Sequence, residues 1–317
     1  MLFRSAVANS LAAVSAGVTH VQGTLNGYGE RTGNADLVSI IANLELKKEK
    51  SVLPKGKLQE AFRISHAVAE VTNVAPSARQ PYVGVSAFAH KAGLHASAIK
   101  VDPAMYQHED PETVGNDMRM LVSEMAGRAS IELKSQELGI DLGGDKELIG
   151  RVVEKVKQLE GKGFTFEAAD ASFELLLRTE MNGKRPSFFT IEDWQTTVHQ
   201  GANGKVTSKA NVKVSVKGEV FNSEGEGNGP VNAIDNALRK GLEKFYPELH
   251  KLELTDYKVR ILEGRLGTGA VTRVLVETSD GTGEWSTVGV HENVIAASAM
   301  ALDDAVTYGL LRLGQKP

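Results

Sequence analysis

The sequence predicts a protein of several domains, with an α/β segment near the amino terminus and an α+β domain near the carboxyl terminus. Three observations lead to this prediction. The chain has 317 residues, which is more than a single hydrophobic core usually organises. Helical, strand-like and glycine-rich patterns alternate over residues 1–46. From residue 186 onward, strand patterns followed by a helical pattern occur twice.

The first element is predicted as a helix over residues 6–17, because apolar residues recur there at helical spacing. Residues 1–17 also have the composition of a targeting peptide, with one arginine and no acid. We favour the helix, because the chain continues without a break into a strand pattern at 19–24, a glycine-rich turn and a helix pattern at 35–46. This segment is too short to form a sheet, so we expect the end of an α/β domain.

The middle of the chain is predicted to be mostly helical. A charged segment at 47–57 reads as a linker, and Ala61, Ile64, Val68 and Val71 mark an amphipathic helix that ends before Pro76. A loop-rich region, a mainly helical region and a further helix ended by Asn182-Gly183 follow, at residues 84–115, 117–160 and 166–181. The predicted domains are residues 1–46, a linker subdomain at 47–84, a helical linker subdomain at 85–182, and a carboxy-terminal domain at 186–317.

The carboxy-terminal domain is predicted to be an internal repeat of the βββα type. Strand-like alternation occurs at 188–198 and 210–217, and again at 271–277 and 285–290. Each group is followed by a helix with one apolar face. These faces are formed by Ile234, Leu238, Leu242 and Phe245, and by Ile295, Ala299, Leu302 and Val306. The interval of about 60 residues predicts two halves related by a pseudo-two-fold axis.

The composition excludes several classes of function. The net charge of −4 gives no electrostatic reason to expect nucleic acid or an anionic membrane as a partner. The chain has no cysteine, so it has neither a disulfide framework nor a thiolate nucleophile. No continuous apolar run approaches the roughly 20 residues of a membrane span. We expect a cytoplasmic protein that binds neither nucleic acid nor membranes.

The densest polar motif is residues 23–34, where glycines allow a ligand to approach the backbone closely. Glu30, Arg31 and Asn34 follow the predicted strand, and the carboxyl ends of the strands carry the active sites of (β/α)8 barrels. The alternative is a structural turn in which Asn34 caps the next helix.

A second candidate is the segment 224–230 (EGEGNGP), which joins a strand to a helix. The first turn of a helix has free backbone N–H groups that attract carboxylates, and Pro230 suits the first helical position. The segment 289–293 (GVHEN) is its counterpart in the second half. Spacing alone does not distinguish either segment from an ordinary strand-to-helix turn.

Five segments carry a resemblance to a known family. AVANSLAAVSAG and VQGTLNGYGERTGNADL resemble the last part of the (β/α)8 barrel of 2-isopropylmalate, homocitrate and citramalate synthases. SAFAHKAGLHASAIK resembles their linker subdomain, and EGNGPVNAIDNAL resembles their regulatory domain. YGERTGNADL, SAFAHKAGLH and DYKVR are most similar to the citramalate branch, with 2-isopropylmalate synthase as the alternative.

The resemblance implies the end of a TIM barrel, helical linkers and a regulatory domain. It implies an acyltransferase that joins acetyl-CoA to pyruvate with a divalent metal (Mg, Mn or Zn), Asn34 being one metal ligand. Glu30 and His95 are the implied catalytic residues, and Thr24, Arg31 and Tyr106 the implied substrate-binding residues. Taken without the resemblance, His95 is more readily a structural loop histidine. Ser97 stands where the family often has an aspartate.

The family's other metal ligands, an aspartate and an H-x-H pair, have no counterpart in this sequence. We therefore expect a chain truncated within the barrel and inactive alone. The resemblance further implies a homodimer that binds isoleucine or leucine as an effector. The implied effector-binding residues are Gly227, Asn228, Gly229, Glu292 and Asn293. A non-catalytic module that senses an amino acid is the alternative from another class.

Overall fold

The computed structural model describes residues 5–74, 76–122, 127–262 and 269–316. The chain divides into two compact units, residues 1–120 and 121–317. This boundary falls inside the predicted subdomain of residues 85–182. The motif MLFRS at the amino terminus overlaps residues 1–4, which lie outside the described residues.

The first unit contains four α-helices and one short pair of strands within its described residues. In chain order these are α1 (Ala6–Ser15), α2 (Leu37–Lys47), α3 (Ala61–Thr72), β1 (Ala89–His90), α4 (Gly93–Val101) and β2 (Arg119–Met120). Strands β1 and β2 pair in parallel. A small core joins α2 to the loops that follow α3. Its buried residues are Val38, Ala42, Tyr82, Val83, Phe88 and Val114.

The strand predicted at residues 19–24 is wrong. Residues 18–23 are irregular, and Thr24 forms only an isolated parallel bridge with Asp36. A strand needs a neighbour that accepts and donates its backbone hydrogen bonds, and among the described residues this segment has one bridging residue only. The helices predicted on either side are confirmed as α1 and α2.

The helix predicted from Ala61 onward is confirmed as α3, but its buried face is not the predicted apolar one. Val71 is 87% exposed and Ile64 is 37% exposed, whereas Ser65 and Ala69 are the buried positions. On the buried side of the helix, Ser65 hydrogen-bonds with Asn26.

The second unit begins with three helices, α5 (Arg128–Glu137), α6 (Lys146–Gly161) and α7 (Asp170–Asn182). The mainly helical region predicted at 117–160 is correct for α5 and α6 but wrong at its start, where β2 lies, and at 138–145, which is not helical. Helix α7 ends as predicted, with Gly183 in a left-handed conformation at φ 71°. These helices pack on Val288 and Val290 through one apolar cluster.

The rest of the second unit contains two antiparallel sheets of three strands, each followed by a helix. The first half comprises β3 (Thr190–Gln200), β4 (Val206–Val216), β5 (Glu219–Gly227) and α8 (Pro230–Leu242). The second half comprises β6 (Glu253–Ile261), β7 (Thr272–Ser279), β8 (Glu284–His291) and α9 (Val294–Arg312). The middle strands are β4 and β7. Both helices pack against the sheets, and the two halves share one apolar core.

Each helix approaches its own sheet through a glycine. A Cβ atom added at Gly225 would overlap the backbone of Ala233 and Ala237 in α8. A Cβ atom added at Gly289 would overlap the backbone of Ala297 and Ala301 in α9. Small residues on both elements therefore allow backbone-to-backbone contact at equivalent places in the two halves.

Helix α9 is long and apolar enough to cross a membrane by length and composition. Its apolar run is interrupted by Asp303 and Asp304, so it is not a continuous apolar stretch of about 20 residues. Eleven of its 19 residues are buried in the protein, among them Ala297, Leu302 and Val306. In this structure α9 is the central helix of the core.

Candidate active-site loop and effector groove

The loop at residues 24–36 is closed on itself by backbone hydrogen bonds. Thr24 N donates to Ala35 O at 3.0 Å, and Asn34 N donates to Gly27 O at 2.9 Å. Positive φ angles occur at Asn26 (59°) and Arg31 (60°), as well as at the glycines. Asparagine tolerates this region better than most residues do. The loop is thus a compact turn that returns next to its starting point.

The carbonyl oxygen of Tyr28 organises two of the predicted site residues. Thr24 Oγ1 donates to it at 2.6 Å, and Asn34 Nδ2 donates to it at 2.9 Å. Because the amide nitrogen of Asn34 is held there, its oxygen Oδ1 faces the other way. The alternative role of Asn34 as a helix cap is wrong, since Asp36 is the N-cap of α2 and accepts a hydrogen bond from Val38 N.

Glu30 and Arg31 bind each other on the surface of this loop. Arg31 Nη1 lies 2.9 Å from Glu30 Oε2, and both side chains are more than four-fifths exposed. Such an exposed pair stabilises the fold by about 1 kcal/mol at most. Both groups are therefore free to exchange their mutual contact for one with a ligand.

The described residues do not form a complete metal site. They contain no group of three or more histidine, cysteine, aspartate or glutamate side chains that could hold an ion. The oriented amide oxygen of Asn34 fits the hard-oxygen chemistry of Mg²⁺ and Mn²⁺, but one neutral oxygen is a single ligand. The loop therefore fits a contributing role in a metal site, and the ligand set is incomplete within the described chain.

His95 and Tyr106 form a second group, at helix α4 and the turn that follows it. Their rings are stacked with centroids 4.0 Å apart and planes 27° apart. Tyr106 is 41% exposed, so the pair lies at the surface of the first unit. Ser97, at the position of the family's aspartate, donates its hydroxyl to Gly93 O instead. The structure thus brings Tyr106, rather than an acid, to the ring of His95.

His90 lies next to His95 and is the weaker candidate of the two from sequence. It is 8% exposed, and within the described residues its Nε2 atom has no hydrogen-bond partner. Its ring centroid is 6.1 Å from that of His95. Burial lowers the pKa of His90, and the neighbouring His95 lowers it further. His90 is thus a buried ring in edge contact with His95. Within the described residues, no hydrogen bond, ion pair or ring contact joins the 24–36 loop to His95 or Tyr106.

A groove of about 810 Å³ opens beside the start of α8. Its wall is formed by α8, the residues before it and the first residues of β6. The lining residues are Asn228, Gly229, Pro230, Val231, Asn232, Asp235, Asn236, Arg239, Leu252, Glu253, Leu254 and Tyr257. Gly229 is the N-cap and has no side chain to occupy the helix N–H groups. Gly227 lies at the end of β5, close to the backbone of Ala233.

The equivalent start of α9 is closed by its own side chain. Asn293 Oδ1 accepts hydrogen bonds from Ile295 N at 2.8 Å and from Ala296 N at 3.2 Å. The donors predicted to bind an effector carboxylate are therefore already used. This geometry disfavours Glu292 and Asn293 as effector-binding residues and leaves Asn228 and Gly229 on the groove.

Several residues that line the groove were not predicted from the sequence. Asp235 and Arg239 form an ion pair at 2.9 Å along α8, and their i, i+4 spacing was the available signal. Tyr257 contributes from β6, a strand that was not predicted. Glu226, in the candidate segment 224–230, pairs with Lys209 at 2.6 Å.

Three protein-family models match successive parts of the chain. Residues 3–68 match the HMGL-like family, residues 82–163 match the homocitrate synthase post-HMGL domain-like family, and residues 167–310 match the LeuA allosteric (dimerisation) domain. The HMGL-like family has a TIM-barrel fold. These matches support a multidomain α/β protein of the class that joins an HMGL-like region to an allosteric dimerisation domain.

Comparison with individual proteins gives a narrower class than the family matches do. The chain is 67% identical to an (R)-citramalate synthase of Streptomyces coelicolor over 98% of its length. It is 45% identical to that of Aquifex aeolicus over 97% and 46% identical to that of Geobacter sulfurreducens over 96%. In each case it spans 58% of the relative. The chain is thus homologous to the (R)-citramalate synthases, which confirms the resemblance read from its motifs.

Proposed function

We propose that this chain forms the carboxy-terminal part of an acyltransferase of the (R)-citramalate synthase type. The observation that carries this proposal is the identity of 67% over nearly the whole chain. The substrates are acetyl-CoA and pyruvate, and the product feeds isoleucine synthesis. We assign the protein to the cytoplasm, with neither nucleic acid nor a membrane as a partner.

The proposed reaction forms one carbon–carbon bond. A base removes a methyl proton of acetyl-CoA, and the resulting carbanion attacks the keto carbon of pyruvate. The carbonyl π bond opens to an alkoxide, which takes up a proton. Water then cleaves the thioester to give a carboxylic acid and the free thiol of CoA. A divalent metal (Mg, Mn or Zn) supplies polarisation of the ketone when it is bound. Asn34 is one oxygen ligand for it, and further ligands must come from residues beyond those described.

The two groups of site residues have distinct proposed roles. Thr24 and Arg31 orient the oxo acid at the loop, and Glu30, freed from Arg31, serves as a proton-handling group. His95 handles the acetyl-CoA proton while Tyr106 lines the acyl-CoA pocket and holds the imidazole by stacking. The proposed domains remain residues 1–46, 47–84, 85–182 and 186–317.

A chimera tests this proposal. The part of the Streptomyces coelicolor relative that precedes the matched region is joined to this chain, and CoA release is measured with pyruvate and with 2-oxoisovalerate. We expect metal-dependent release with pyruvate. Release only with 2-oxoisovalerate would move the chain to the 2-isopropylmalate synthases. No release with either oxo acid, from a folded chimera, would favour the non-catalytic sensing module.

Two substitutions in the chimera separate the proposed roles. Asn34→Ala should weaken the activation by metal, because it removes an oxygen ligand. His95→Ala should lower turnover about 100-fold or more while leaving the KM for pyruvate unchanged, since general acid–base catalysis contributes that much. Wild-type turnover in His95→Ala would remove this residue from the mechanism.

We further propose that the carboxy-terminal unit is a dimerising effector domain, as its match to the LeuA allosteric (dimerisation) domain suggests. The apolar faces of α8 and α9 are buried in the core of the unit, so they are not available as a dimer interface. Exposed apolar residues on the strands are better placed to form a dimer interface. These residues are Val198, Val206, Val220, Val259 and Ile261. Light scattering on the chain at micromolar concentration should give a homodimer.

The groove beside α8 is the proposed effector site, with isoleucine as the ligand and leucine as the alternative. The uncapped first turn of α8 suits the carboxylate, Glu253 or Asp235 suits the ammonium group, and Val231 and Leu254 suit a branched side chain. Calorimetry with isoleucine, leucine and valine tests the assignment. A clear preference for leucine would indicate the 2-isopropylmalate branch, and no binding of any of them would remove the effector role.

A further inference from the structure

We propose that Ser65 of α3 and Gln80 in the following loop are positioning residues that hold the 24–36 loop, and through it the amide of Asn34. The metal-binding part of this inference rests on the proposed function. The clamp itself rests only on contacts within the first unit. In this view the shape of the candidate active-site loop is set by residues outside the loop.

The first contact of this clamp joins Asn26 to Ser65. Asn26 Oδ1 accepts a hydrogen bond from Ser65 Oγ at 2.6 Å, and Asn26 Nδ2 donates to Ser65 O at 2.8 Å. One side-chain amide thus binds both the hydroxyl and the carbonyl group of a single residue. Ser65 is 1% exposed, so water does not compete for these bonds.

The second contact joins the start and the end of the loop through Gln80. Its Nε2 atom lies 3.2 Å from Asp36 Oδ2 and 3.4 Å from Asn26 Oδ1. Asp36 also accepts the hydroxyl of Ser39 at 2.6 Å and caps α2. A single side chain therefore bridges residues near both ends of the loop and ties them to the first helix turn after it.

A third contact lies next to the predicted metal ligand. Tyr28 Oη donates to Val74 O at 3.2 Å, just beyond the end of α3. The carbonyl group of the same Tyr28 accepts the amide of Asn34 and the hydroxyl of Thr24. Asn34 itself is exposed, and its side chain lies over Gly29 and is held by its hydrogen bond to Tyr28 O. Its orientation depends on where the clamp places the backbone of residues 26–28.

The clamp also accounts for the unexpected orientation of α3. The helix buries Ser65 and exposes Val71. A helix that only filled an apolar core would do the reverse. A polar residue at the buried position is costly unless its hydrogen bonds are made, and Asn26 makes them. The burial of Ser65 is therefore better explained by positioning of the loop than by core packing.

Hydrogen exchange on the chain tests the clamp without any activity measurement. The amides of Gly33 and Asn34 are bonded within the loop to Glu30 O and Gly27 O. In Ser65→Ala we expect these amides to exchange about tenfold faster or more. The amide of Ile40 in α2 should keep its protection. Thr72→Ala is the matched control, because it removes a hydroxyl from the same helix that bonds only within α3.

Two variants of Asn26 separate its side chain from its backbone. Asn26→Gly keeps the positive φ at little cost but removes both bonds to Ser65, whereas Asn26→Ala loses both features. We expect the amides of Gly33 and Asn34 to exchange faster in both variants. In Ser65→Thr, which keeps the hydroxyl group that Ser65→Ala removes, these amides should keep their protection. Normal protection of Gly33 and Asn34 in Asn26→Gly or in Ser65→Ala would overturn the proposal.

The chimera then tests the link to function. Ser65→Ala should raise the manganese concentration needed for half-maximal activity about tenfold and leave the KM for acetyl-CoA within about twofold. An equal loss in both parameters would indicate general damage and would contradict positioning. If the parent chimera shows no metal-dependent activity, the proposed function fails, while the exchange results still decide whether the clamp exists.

Discussion

The two halves of the second unit share a packing scheme but differ where their helices begin. In each half a glycine on the third strand lies against two alanines of the following helix. Helix α8 begins at an uncapped glycine beside a groove, whereas α9 begins at Asn293, which satisfies two of its own N–H groups. The comparison shows that a repeat can keep its packing contacts while only one copy keeps a start open to a ligand.

The largest loss of stability should come from substituting the glycine that lies against the helix in each half. Gly289→Ala forces a methyl group into the backbone of α9, and Gly225→Ala does the same to α8. Overpacking of this kind destabilises by about 1–3 kcal/mol and occasionally more, and we expect both variants to lie at the upper end. Urea unfolding followed by tryptophan fluorescence measures the loss, because Trp194 and Trp285 both lie in this unit.

Gly150→Ala is the control for these variants. Gly150 lies within α6 and has open space around it, so alanine there should stabilise the chain by up to about 1 kcal/mol. If Gly225→Ala were tolerated and Gly289→Ala were not, the two halves would not be equivalent in packing either.

The next largest effect is expected from adding a capping side chain at the start of α8, which α9 already has. Gly229→Asp gives α8 a capping carboxylate, which has room because nothing lies within 4 Å of a Cβ atom there. The variant should stabilise the fold by a few tenths of a kcal/mol and weaken isoleucine binding about tenfold or more. Calorimetry measures the affinity.

Asn293→Ala is the matched change in the other half. It removes the cap of α9 and should cost about 1 kcal/mol of stability with no effect on isoleucine affinity. Weaker binding in Asn293→Ala, with normal binding in Gly229→Asp, would place the effector at the second half instead.

The smallest effect concerns charge. In α8, Arg239 stands two residues after Ala237. At the equivalent place in α9, two residues after Ala301, stands Asp303, and Asp304 follows it. Burial raises the pKa of Asp304, and Arg185, 2.7 Å from it, only partly opposes this. A raised carboxyl pKa contributes stability that is fully present below the unfolded value of 3.8 and is lost as the pH rises through the folded value.

Asp304→Asn removes this titration. The substitution should therefore cost more stability at about pH 4 than at about pH 7. Urea unfolding at the two pH values gives the difference. A cost that grows as the pH rises would mean that the ion pair with Arg185 outweighs the burial of the carboxyl group.

The sequence was sufficient for elements with a strong periodic pattern. The buried positions Leu238 and Leu242 identified α8, and Leu302 and Val306 identified α9. Strands β5 and β6 were missed, because β5 contains Gly225 and Gly227 and β6 exposes most residues on both faces. Alternation of polar and apolar residues signals a strand only where one face is buried.

For the candidate site, the sequence predicted which residues belong to it but not the contacts that hold them in place. The motif located Asn34, Glu30 and Arg31, but the partners that hold the loop lie on other segments. Ser65 is about 40 positions from Asn26, and no local pattern connects residues so far apart. The same limit hid Tyr257, which reaches the groove from a strand that the sequence did not reveal.

Tyr257 has a consequence for communication within the second unit. It lines the groove beside α8, and its hydroxyl group lies 2.8 Å from Ser298 Oγ on α9. A molecule that occupies the groove and alters this contact changes the free energy of α9, although α9 does not line the groove. By thermodynamic reciprocity, whatever shifts α9 changes the affinity of the groove by the same factor. One phenol group thus links the groove beside α8 to helix α9.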